Sequence, residues 1–305
     1  MKDAVALSAV VALVMGDLEA GRPAREMRVL MGTTAEVQAW GADDSALALD
    51  AAFRELADVD DAMSLWKETP LVRLNREGGL DAPPSLLAVI RSSLDVAAAT
   101  GGAFDPTVGP LVRARSAEER ARLLPLVGYG RVSIDGDHVR LPLGAALDLG
   151  GIAKGYAADR ALEALKRAGA SAGLVDLGTS SLGVFGTPVE VEVPGRSGPL
   201  GSFRVEEGAV SSSGGAEKPG HILDPHTGEV ARGVVLATVV APTGIEADAL
   251  STALYVRGVD GLPMLARRGA EGFVLLDEAG TMVMRTTPGF ADRHKLALGA
   301  GVALR

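Results

Sequence analysis

The chain contains no cysteine, and this excludes several kinds of site at once. A thiol nucleophile, a zinc–thiolate centre, a disulfide and a lipobox cysteine all need that residue, so lipid anchoring is not predicted. Aromatic residues make up only 4% of the 305 residues, which draws attention to each tryptophan. The CxxC, HExxH and GxxxxGK[ST] motifs are also absent, which removes the signatures of redox dithiols, zinc proteases and P-loop enzymes.

Positive charge is neither abundant nor clustered. Lys and Arg number 30 against 39 Asp and Glu, so the formal net charge is -9. Proteins that bind nucleic acid concentrate Lys and Arg on one face, and we therefore predict no nucleic-acid partner. The 47% of hydrophobic residues is sufficient for the core of one large domain or two moderate ones.

Residues 1–20 contain an apolar run from Ala4 to Gly16 that is too short to cross a bilayer. Its length favours a signal peptide, and hence an exported protein that is periplasmic or membrane-associated and faces outward. The alternatives are an N-terminal helix and a cytoplasmic location.

Helical and strand patterns are mixed along the rest of the chain. Apolar residues recur every three or four positions from Leu49 to Met63, which predicts a helix with one buried face. Val29–Trp40 and Val234–Val240 are predicted strands, whereas the Ser/Gly-rich segment Gly208–Gly228 is interpreted as a loop. Because regular βαβ alternation is absent, the pattern predicts an α+β fold.

The segment Leu147–Asp159, LDLGGIAKGYAAD, predicts an apolar strand, a Gly-Gly turn and an Ala-rich helix. Lys154 lies at the predicted helix start. Free N–H groups at a helix N-terminus attract anions, and a lysine adds a positive charge there. This segment is therefore a candidate phosphate-binding site.

A predicted helix beginning near Glu246 carries a second set of polar groups. Asp248 and Thr252 are four residues apart, so they share one helical face, with Ser251 beside them. Oxygen ligands of this kind suit Mg²⁺, which takes its remaining ligands from water and substrate phosphates. The alternative is structural: Asp248 interacts with the helix dipole and Thr252 packs.

Three further residues have both a functional and a structural interpretation. His221 follows the glycine-rich loop and could carry a proton near neutral pH, or it could be a surface histidine beside a turn. Asp105 could accept hydrogen bonds from a ribose or a ring N–H, or it could form an Asx-turn with Pro106. Trp66 could stack on a flat ring or cover the core.

Taken together, these segments resemble the FAD:protein FMN transferase family, the ApbE-like proteins. The similarity runs in the family's order through residues 27–258. The matching segments are Met31–Thr33, Met63–Trp66 with Arg73–Asn75, Gly102–Val112, Leu147–Asp159, Gly220–Gly228 and Val239–Leu254.

The resemblance implies a T-fold-like α+β unit of two lobes over residues 27–305, with mixed strands, packed helices and FAD bound between the lobes. It implies a magnesium site whose oxygen ligands come from Gly151, through its backbone carbonyl, and from Asp248, Ser251 and Thr252. His221 matches the family's proposed base. The positions that match FAD-binding residues are Met31, Trp66, Ala103, Phe104, Asp105, Asp148, Lys154 and Ile222.

The implied reaction is Mg²⁺-dependent transfer of FMN from FAD, the substrate, to a Thr or Ser hydroxyl of a target flavoprotein subunit, with release of AMP. The family's targets belong to ion-pumping or other redox complexes, and carry an Asp-x-x-[Ser/Thr]-Gly-Ala-[Ser/Thr] type of motif. The alternatives are an Mg²⁺-dependent FAD pyrophosphatase that yields FMN and AMP, and a non-catalytic flavin-binding module. The chain departs from the family at Gly178-Thr179-Ser180, where many members have Gly-Gly-Asp or Gly-Gly-Asn, and in the short segment 213–221.

Overall fold

The computed structural model describes residues 11–12, 22–178, 180–195, 198–215 and 220–305. Its helices are α1 Ser45–Met63, α2 Pro70–Glu77, α3 Pro84–Ala99, α4 Gly109–Arg113, α5 Ala117–Leu123, α6 Ala153–Arg167, α7 Gly244–Arg257, α8 Leu262–Ala266 and α9 Phe290–Arg293. Its strands are β1 Val11–Ala12, β2 Ala24–Leu30, β3 Thr33–Trp40, β4 Gly79–Asp81, β5 Ser133–Asp135, β6 His138–Arg140, β7 Ala172–Asp176, β8 Ser181–Phe185, β9 Val189–Val193, β10 Gly201–Val205, β11 Gly208–Gly214, β12 Leu236–Ala241, β13 Glu271–Glu278, β14 Thr281–Thr286, β15 Ala297–Leu298 and β16 Val302–Leu304.

A nine-stranded sheet forms the centre of the fold, in the order β16-β14-β13-β12-β11-β8-β7-β3-β2. Its neighbouring strands are antiparallel except for the pair β14 and β16. A four-stranded sheet, β1-β9-β10-β15, and a three-stranded sheet, β4-β6-β5, complete the described strands. The predicted α+β class is confirmed, since antiparallel pairing predominates and helices are not interposed between parallel strands.

Helices α1, α6 and α7 form a layer on one face of the large sheet, with α3 packed outside them. The predicted stripe on α1 is buried, including Leu49, Phe53 and Leu56. Asp44 caps this helix, because its Oδ1 accepts a hydrogen bond from the N–H of Leu47 at 3.1 Å. This packing brings the N-terminal ends of α6 and α7 close together.

The opposite face of the large sheet carries a second hydrophobic core, beneath the four-stranded sheet. Strand β9 alternates buried valines with partly exposed glutamates, as expected for a strand with one buried face. Phe203, Phe273 and Phe290 meet at the centre, with ring centroids 5.6–5.7 Å apart. The central sheet is therefore covered on both faces, which leaves the loops at the ends of its strands to form a site.

The predictions for two segments of the large sheet were wrong. Val29–Trp40 is not one strand: Met31 and Gly32, at φ 53° and 72°, form the two-residue turn of the β2–β3 hairpin. Positive φ at both positions is typical of a type I′ turn, but methionine is not a usual residue there. The segment Gly208–Gly228 is not all loop, because its first seven residues form β11 between β8 and β12. Its serines find partners inside the protein, which is why so polar a strand is stable there.

Most of residues 1–20, the predicted signal-peptide segment, lie outside the described residues. Val11 and Ala12 form β1 and pair with β9. Among the residues that the structure describes, no helix has the length and hydropathy needed to span a membrane.

Asp176, at the end of β7, is expected to make stability depend on pH. Burial, together with the charge of Glu36 on β3, raises the pKa of Asp176 to about 7. Its Oδ1 has no hydrogen-bond partner among the described residues. Since the pKa is higher in the folded state than in the unfolded chain, folding is favoured at low pH and loses free energy as the pH rises from about 4 to about 7.

The variant Asp176→Asn should therefore be more stable than the wild type in alkaline buffer. The gain in the free energy of unfolding should grow from pH 5 to pH 8 and reach about 2–4 kcal/mol. Urea unfolding at several pH values measures it, with Asp58→Asn on the exposed side of α1 as the control. A gain independent of pH would contradict the assignment.

Candidate active site

One cavity of about 580 Å³ brings the predicted site residues together. Its volume is within the usual range for a small-molecule site, about 300–1,000 Å³. Every residue predicted from the sequence lines this cavity except Ser251. These residues are Met31, Trp66, Ala103, Phe104, Asp105, Asp148, Gly151, Lys154, His221, Ile222, Asp248 and Thr252.

The glycine-rich segment Leu147–Asp159 turns into α6 at Ala153, as predicted, but Leu147–Leu149 is irregular backbone rather than a strand. No side-chain cap is found at the start of α6 among the described residues, in contrast to α1, α2 and α5. Lys154, in the first turn, lines the cavity. The helix terminus and the lysine together place N–H groups and a positive charge at this wall of the cavity, which suits phosphate.

Asp248 lies buried in α7 with its carboxylate held from two sides. The N–H of Gly155 donates to its Oδ2 at 3.0 Å, and the hydroxyl of Ser211 donates to its Oδ1 at 3.1 Å. Burial raises the pKa of Asp248, an effect opposed by the charge of Lys154 and by these two donors. A carboxylate has about four lone-pair sites, which is more than Gly155, Ser211 and Ser181 occupy, so the group can still bind a cation.

Thr252 lies where α7 meets the glycine-rich segment. A Cβ placed on Gly151 would lie 2.9 Å from Oγ1 of Thr252, so the two residues are in direct contact. The hydroxyl of Thr252 is 3.4 Å from that of Ser213 on β11. The structure therefore brings together two segments, Leu147–Asp159 and α7, whose own residues predicted two separate sites and which only the resemblance joined in one.

Ser251 is buried behind this wall and does not line the cavity. Its hydroxyl donates to the backbone carbonyl of Asp248 at 2.9 Å and lies 2.9 Å from the hydroxyl of Ser213. It also lies 3.3 Å from the hydroxyl of Ser211. Ser251 thus supports the polar face of α7 rather than presenting its own oxygen to the cavity.

The sequence analysis missed Ser211 and Ser213, because their segment was interpreted as a loop. They alternate along β11 and so share the face of the sheet that packs on α7. The period-two spacing within Gly208–Gly214 was the available signal. The residues around this segment gave no indication that its serine face packs against a buried carboxylate.

Asp159, the last residue of the glycine-rich motif, holds the start of α7. Its two carboxylate oxygens accept hydrogen bonds from the N–H groups of Gly244, at 2.6 Å, and Ile245, at 2.9 Å. Burial raises the pKa of Asp159 to about 6, although these two donors oppose the shift. The first residues of this motif therefore line the cavity, and its last residue fixes the helix that carries Asp248.

Helices α6 and α7 approach closely at two glycines. A Cβ on Gly155 would lie 1.9 Å from the carbonyl oxygen of Gly244 and 2.8 Å from Cβ of Asp248. Only glycine fits here, since no real Cβ makes such a contact. This crossing sets the distance between the helix N-terminus and the carboxylate.

The residues matched to FAD binding form the remaining walls. Trp66 is 95% exposed at the cavity, so its indole is available to a ligand rather than part of the core. Asp105 is buried, and its oxygens accept from the N–H and hydroxyl of Thr107 and from the N–H of Tyr129. The Asx-turn alternative is thus present, and Asp105 also lines the cavity. Asp148 accepts from the N–H of Gly150 at 2.8 Å, which shapes the turn.

His221 is an exposed lining residue in the loop that follows β11. The next two residues are anchored: the carbonyl of Ile222 accepts from the N–H of Ala231, and Leu223 forms a β-bridge with Val230. This anchoring holds the backbone next to His221 against the cavity. An imidazole at that place can accept a proton from a group that enters from solvent.

The oxygen atoms that Asp248 and its neighbours present suit a hard cation such as Mg²⁺. They belong to a carboxylate, to hydroxyl groups and to the backbone of a glycine, and these potential ligands include no sulfur or imidazole. Within the described ranges, no group of three or more His, Cys, Asp or Glu residues could hold a metal ion. A cation here would therefore depend on one carboxylate, neutral oxygens and the phosphates of a ligand.

Comparisons with known proteins point to one family. The model of the ApbE family matches residues 31–274. A FAD:protein FMN transferase of Haemophilus influenzae is 27% identical over 282 residues, which cover 79% of this chain and 80% of that protein.

Two solved structures have the same fold. The apo form of the Pseudomonas stutzeri flavinyl transferase ApbE has a TM-score of 0.80 and 27% identity, covering 92% of this chain and 98% of that one. The ApbE protein of Thermotoga maritima has a TM-score of 0.77 and 27% identity, covering 84% and 94%.

Proposed function

The chain belongs to the ApbE family, and we propose that it transfers FMN from FAD to a hydroxyl group of another protein. The relatives named FAD:protein FMN transferase support this reaction. The observation that carries the proposal is the meeting of Lys154 and the α6 N-terminus with Asp248 and Thr252 at one cavity. Phosphate-binding and cation-binding groups at a single place suit chemistry on a pyrophosphate.

The proposed reaction exchanges the phosphoanhydride link of FAD for a phosphoester link to the acceptor. The oxygen of a Thr or Ser side chain attacks the phosphorus of the FMN half of FAD. The bond from that phosphorus to the bridging oxygen breaks, and the bridging oxygen leaves as part of AMP. The hydroxyl proton passes to His221, and the products are AMP and a protein that carries FMN through a phosphoester.

The residues present fit magnesium, with Asp248, Thr252 and the backbone of Gly151 as its protein ligands and Ser251 behind them. When bound, Mg²⁺ would neutralise charge on the pyrophosphate and on the departing AMP. Lys154 and the N–H groups of α6 stabilise the same phosphates directly. These groups are fixed before the substrate binds, because Asp159 and the glycine crossing hold α6 against α7.

The remaining lining residues position the flavin nucleotide. Trp66 offers an exposed aromatic face for stacking, and Met31, Ala103, Phe104 and Ile222 supply apolar contacts. Asp105 and Asp148 offer carboxylate oxygens to hydroxyl or N–H groups of FAD. The acceptor we propose is a flavoprotein subunit of an ion-pumping or other redox complex.

The decisive experiment incubates the protein with FAD, Mg²⁺ and a candidate acceptor that carries the family's Asp-x-x-[Ser/Thr]-Gly-Ala-[Ser/Thr] type of motif. In-gel flavin fluorescence and a mass increase should appear on the acceptor. EDTA, or an acceptor with Ala in place of both Ser/Thr residues of the motif, should prevent both. Absence of labelling on an intact acceptor would overturn the proposal. AMP release when the acceptor is omitted would indicate an FAD pyrophosphatase. FAD binding without turnover would indicate a binding module.

The variant His221→Ala is expected to lower the rate of FMN transfer by about 10²–10⁴-fold, the usual contribution of a general base. FAD affinity should change much less, because the imidazole acts on the acceptor hydroxyl. Single-turnover transfer and flavin-fluorescence titration measure the two effects. His138→Ala, on the separate three-stranded sheet, is the control. Unchanged transfer in His221→Ala would show that the proton goes elsewhere.

A further inference from the structure

No strand among the described residues pairs with the glycine-rich segment at Leu147, where it enters the site. Leu147 is fully buried, yet it lies in irregular backbone. Buried N–H and C=O groups need hydrogen-bond partners, because leaving them unpaired costs about 1–3 kcal/mol each. The partners of Leu147 therefore determine how firmly this segment is held.

The side chain of Asn75 supplies both partners. Its Nδ2 donates to the carbonyl of Leu147 at 2.8 Å, and its Oδ1 accepts from the N–H of Leu147 at 2.7 Å. A carboxamide has the same donor and acceptor arrangement as a peptide group, so this one side chain replaces an adjacent strand at that residue. The pairing joins residues 72 positions apart in the chain.

Asn75 is itself held by a well-anchored helix. Thr69 caps α2 by accepting from the N–H of Val72 at 3.2 Å, and Gly78 ends the helix in the left-handed conformation. Leu71 and Leu74, on the same helix, are fully buried. The amide therefore starts from a fixed backbone position and loses little freedom on binding Leu147.

The segment next to Leu147 is restrained from a second direction. The N–H of Asp148 donates to the carbonyl of Pro106 at 2.8 Å. A Cβ on Gly109 would lie 2.6 Å from the carbonyl oxygen of Ala146, so α4 also contacts the segment directly. Four residues beyond Leu147 lies Gly151, which touches Thr252.

We propose that Asn75 is a positioning residue: it holds the segment Leu147–Gly151 in register, so that Gly151 and the N-terminus of α6 lie against Asp248 and Thr252. This inference rests on the proposed function only for its effect on catalysis. The restraint itself is a property of the protein without substrate. Nothing about Asn75 requires that it touch FAD, magnesium or the acceptor.

The test compares Asn75→Ala and Asn75→Asp with Arg73→Ala, an exposed residue of the same helix. The aspartate can still accept from the N–H of Leu147 but places an oxygen where the carbonyl needs a donor. Three readouts are used: hydrogen exchange of residues 145–152 by mass spectrometry, thermal stabilisation of the ligand-free protein by Mg²⁺ with FAD, and FMN transfer.

Both Asn75 variants should raise hydrogen exchange in residues 145–152 by about tenfold or more, while exchange in α1 and β12 stays as in the wild type. The Mg²⁺ concentration for half-maximal stabilisation should rise by about 10–100-fold, which is typical when a residue supporting a metal site is lost. The value of kcat should fall more than the KM for FAD rises. Arg73→Ala should match the wild type in all three readouts.

Unchanged exchange in residues 145–152, or a uniform rise across the whole chain with unchanged Mg²⁺ dependence, would overturn the positioning role. If Asn75→Ala does not fold, the same criteria apply to Asn75→Asp. Failure of the proposed function is distinguishable: the wild type would transfer no FMN, whereas local exchange and Mg²⁺ dependence would still respond to Asn75.

Discussion

Replacing Asp248 with asparagine or alanine should lower FMN transfer by about a thousandfold or more, because the only carboxylate contributed by α7 to the cation-binding groups is lost. FAD affinity should fall much less. Lys154, the α6 N-terminus and the apolar walls of the cavity remain in place to bind the nucleotide. Single-turnover transfer and flavin-fluorescence titration separate the two effects.

The same substitution should leave the stability of the metal-free protein unchanged or raise it. Burial raises the pKa of Asp248, which means that the folded protein holds the ionised form at a cost in free energy. Asp248→Asn is nearly isosteric and removes that charge. Its oxygen can still accept from the N–H of Gly155, and its NH2 group can donate to Ser211, whose hydroxyl is also an acceptor. The ligand-free variant should therefore melt at or above the wild-type temperature. It should also lose the thermal stabilisation that Mg²⁺ and FAD give the wild type.

Asp260→Ala, an exposed acid beyond the end of α7, is the control for both measurements. A wild-type rate of transfer in Asp248→Asn would show that this helix face is structural. A large loss of ligand-free stability would show that the carboxylate mainly holds the fold.

Gly155→Ala should be among the most damaging small substitutions at the described positions. Helix propensity alone predicts that alanine would stabilise α6 by about 1 kcal/mol. The new Cβ would instead lie 1.9 Å from the carbonyl oxygen of Gly244, a backbone atom that cannot move without separating the two helices. We therefore expect a loss of about 3 kcal/mol or more in the free energy of unfolding.

Separation of α6 and α7 should also weaken the site. The N–H of Gly155 would move away from Oδ2 of Asp248, and Gly151 from Thr252. Urea unfolding and Mg²⁺-dependent stabilisation measure the two consequences. Gly130→Ala is the matched control, since a Cβ there meets no atom within 4 Å. A stabilised Gly155→Ala would mean that propensity outweighs packing and that the close crossing is not needed.

Local motifs account for the parts of the site that the sequence predicted. The glycine turn with Lys154, and the pair Asp248 and Thr252, are each defined within a few residues, so spacing alone places their groups on one turn or one helix face. The hydrophobic period of α1 is equally local. That these two segments meet in one cavity could be predicted only from the resemblance to the family, because spacing within each segment says nothing about the other.

The parts that escaped prediction are pairings between distant segments. Strand β11 is polar, and Ser211 is stable inside it only because Asp248 and Ser251 accept or share its hydrogen bonds. In the sequence Asp159 is an ordinary acidic residue of a helix, and its hydrogen bond from the N–H of Gly244 is evident only in the structure. The Met31-Gly32 turn was hidden because its first residue is not the expected asparagine or glycine.

The most direct measurement follows AMP and protein-bound flavin together in one reaction of the wild type with FAD and Mg²⁺, with and without acceptor. FMN transfer predicts one AMP for each flavin attached to the acceptor, background AMP release when the acceptor is omitted, and neither product in EDTA. AMP release at the same rate without acceptor, or intact acceptor that gains no flavin, would contradict it.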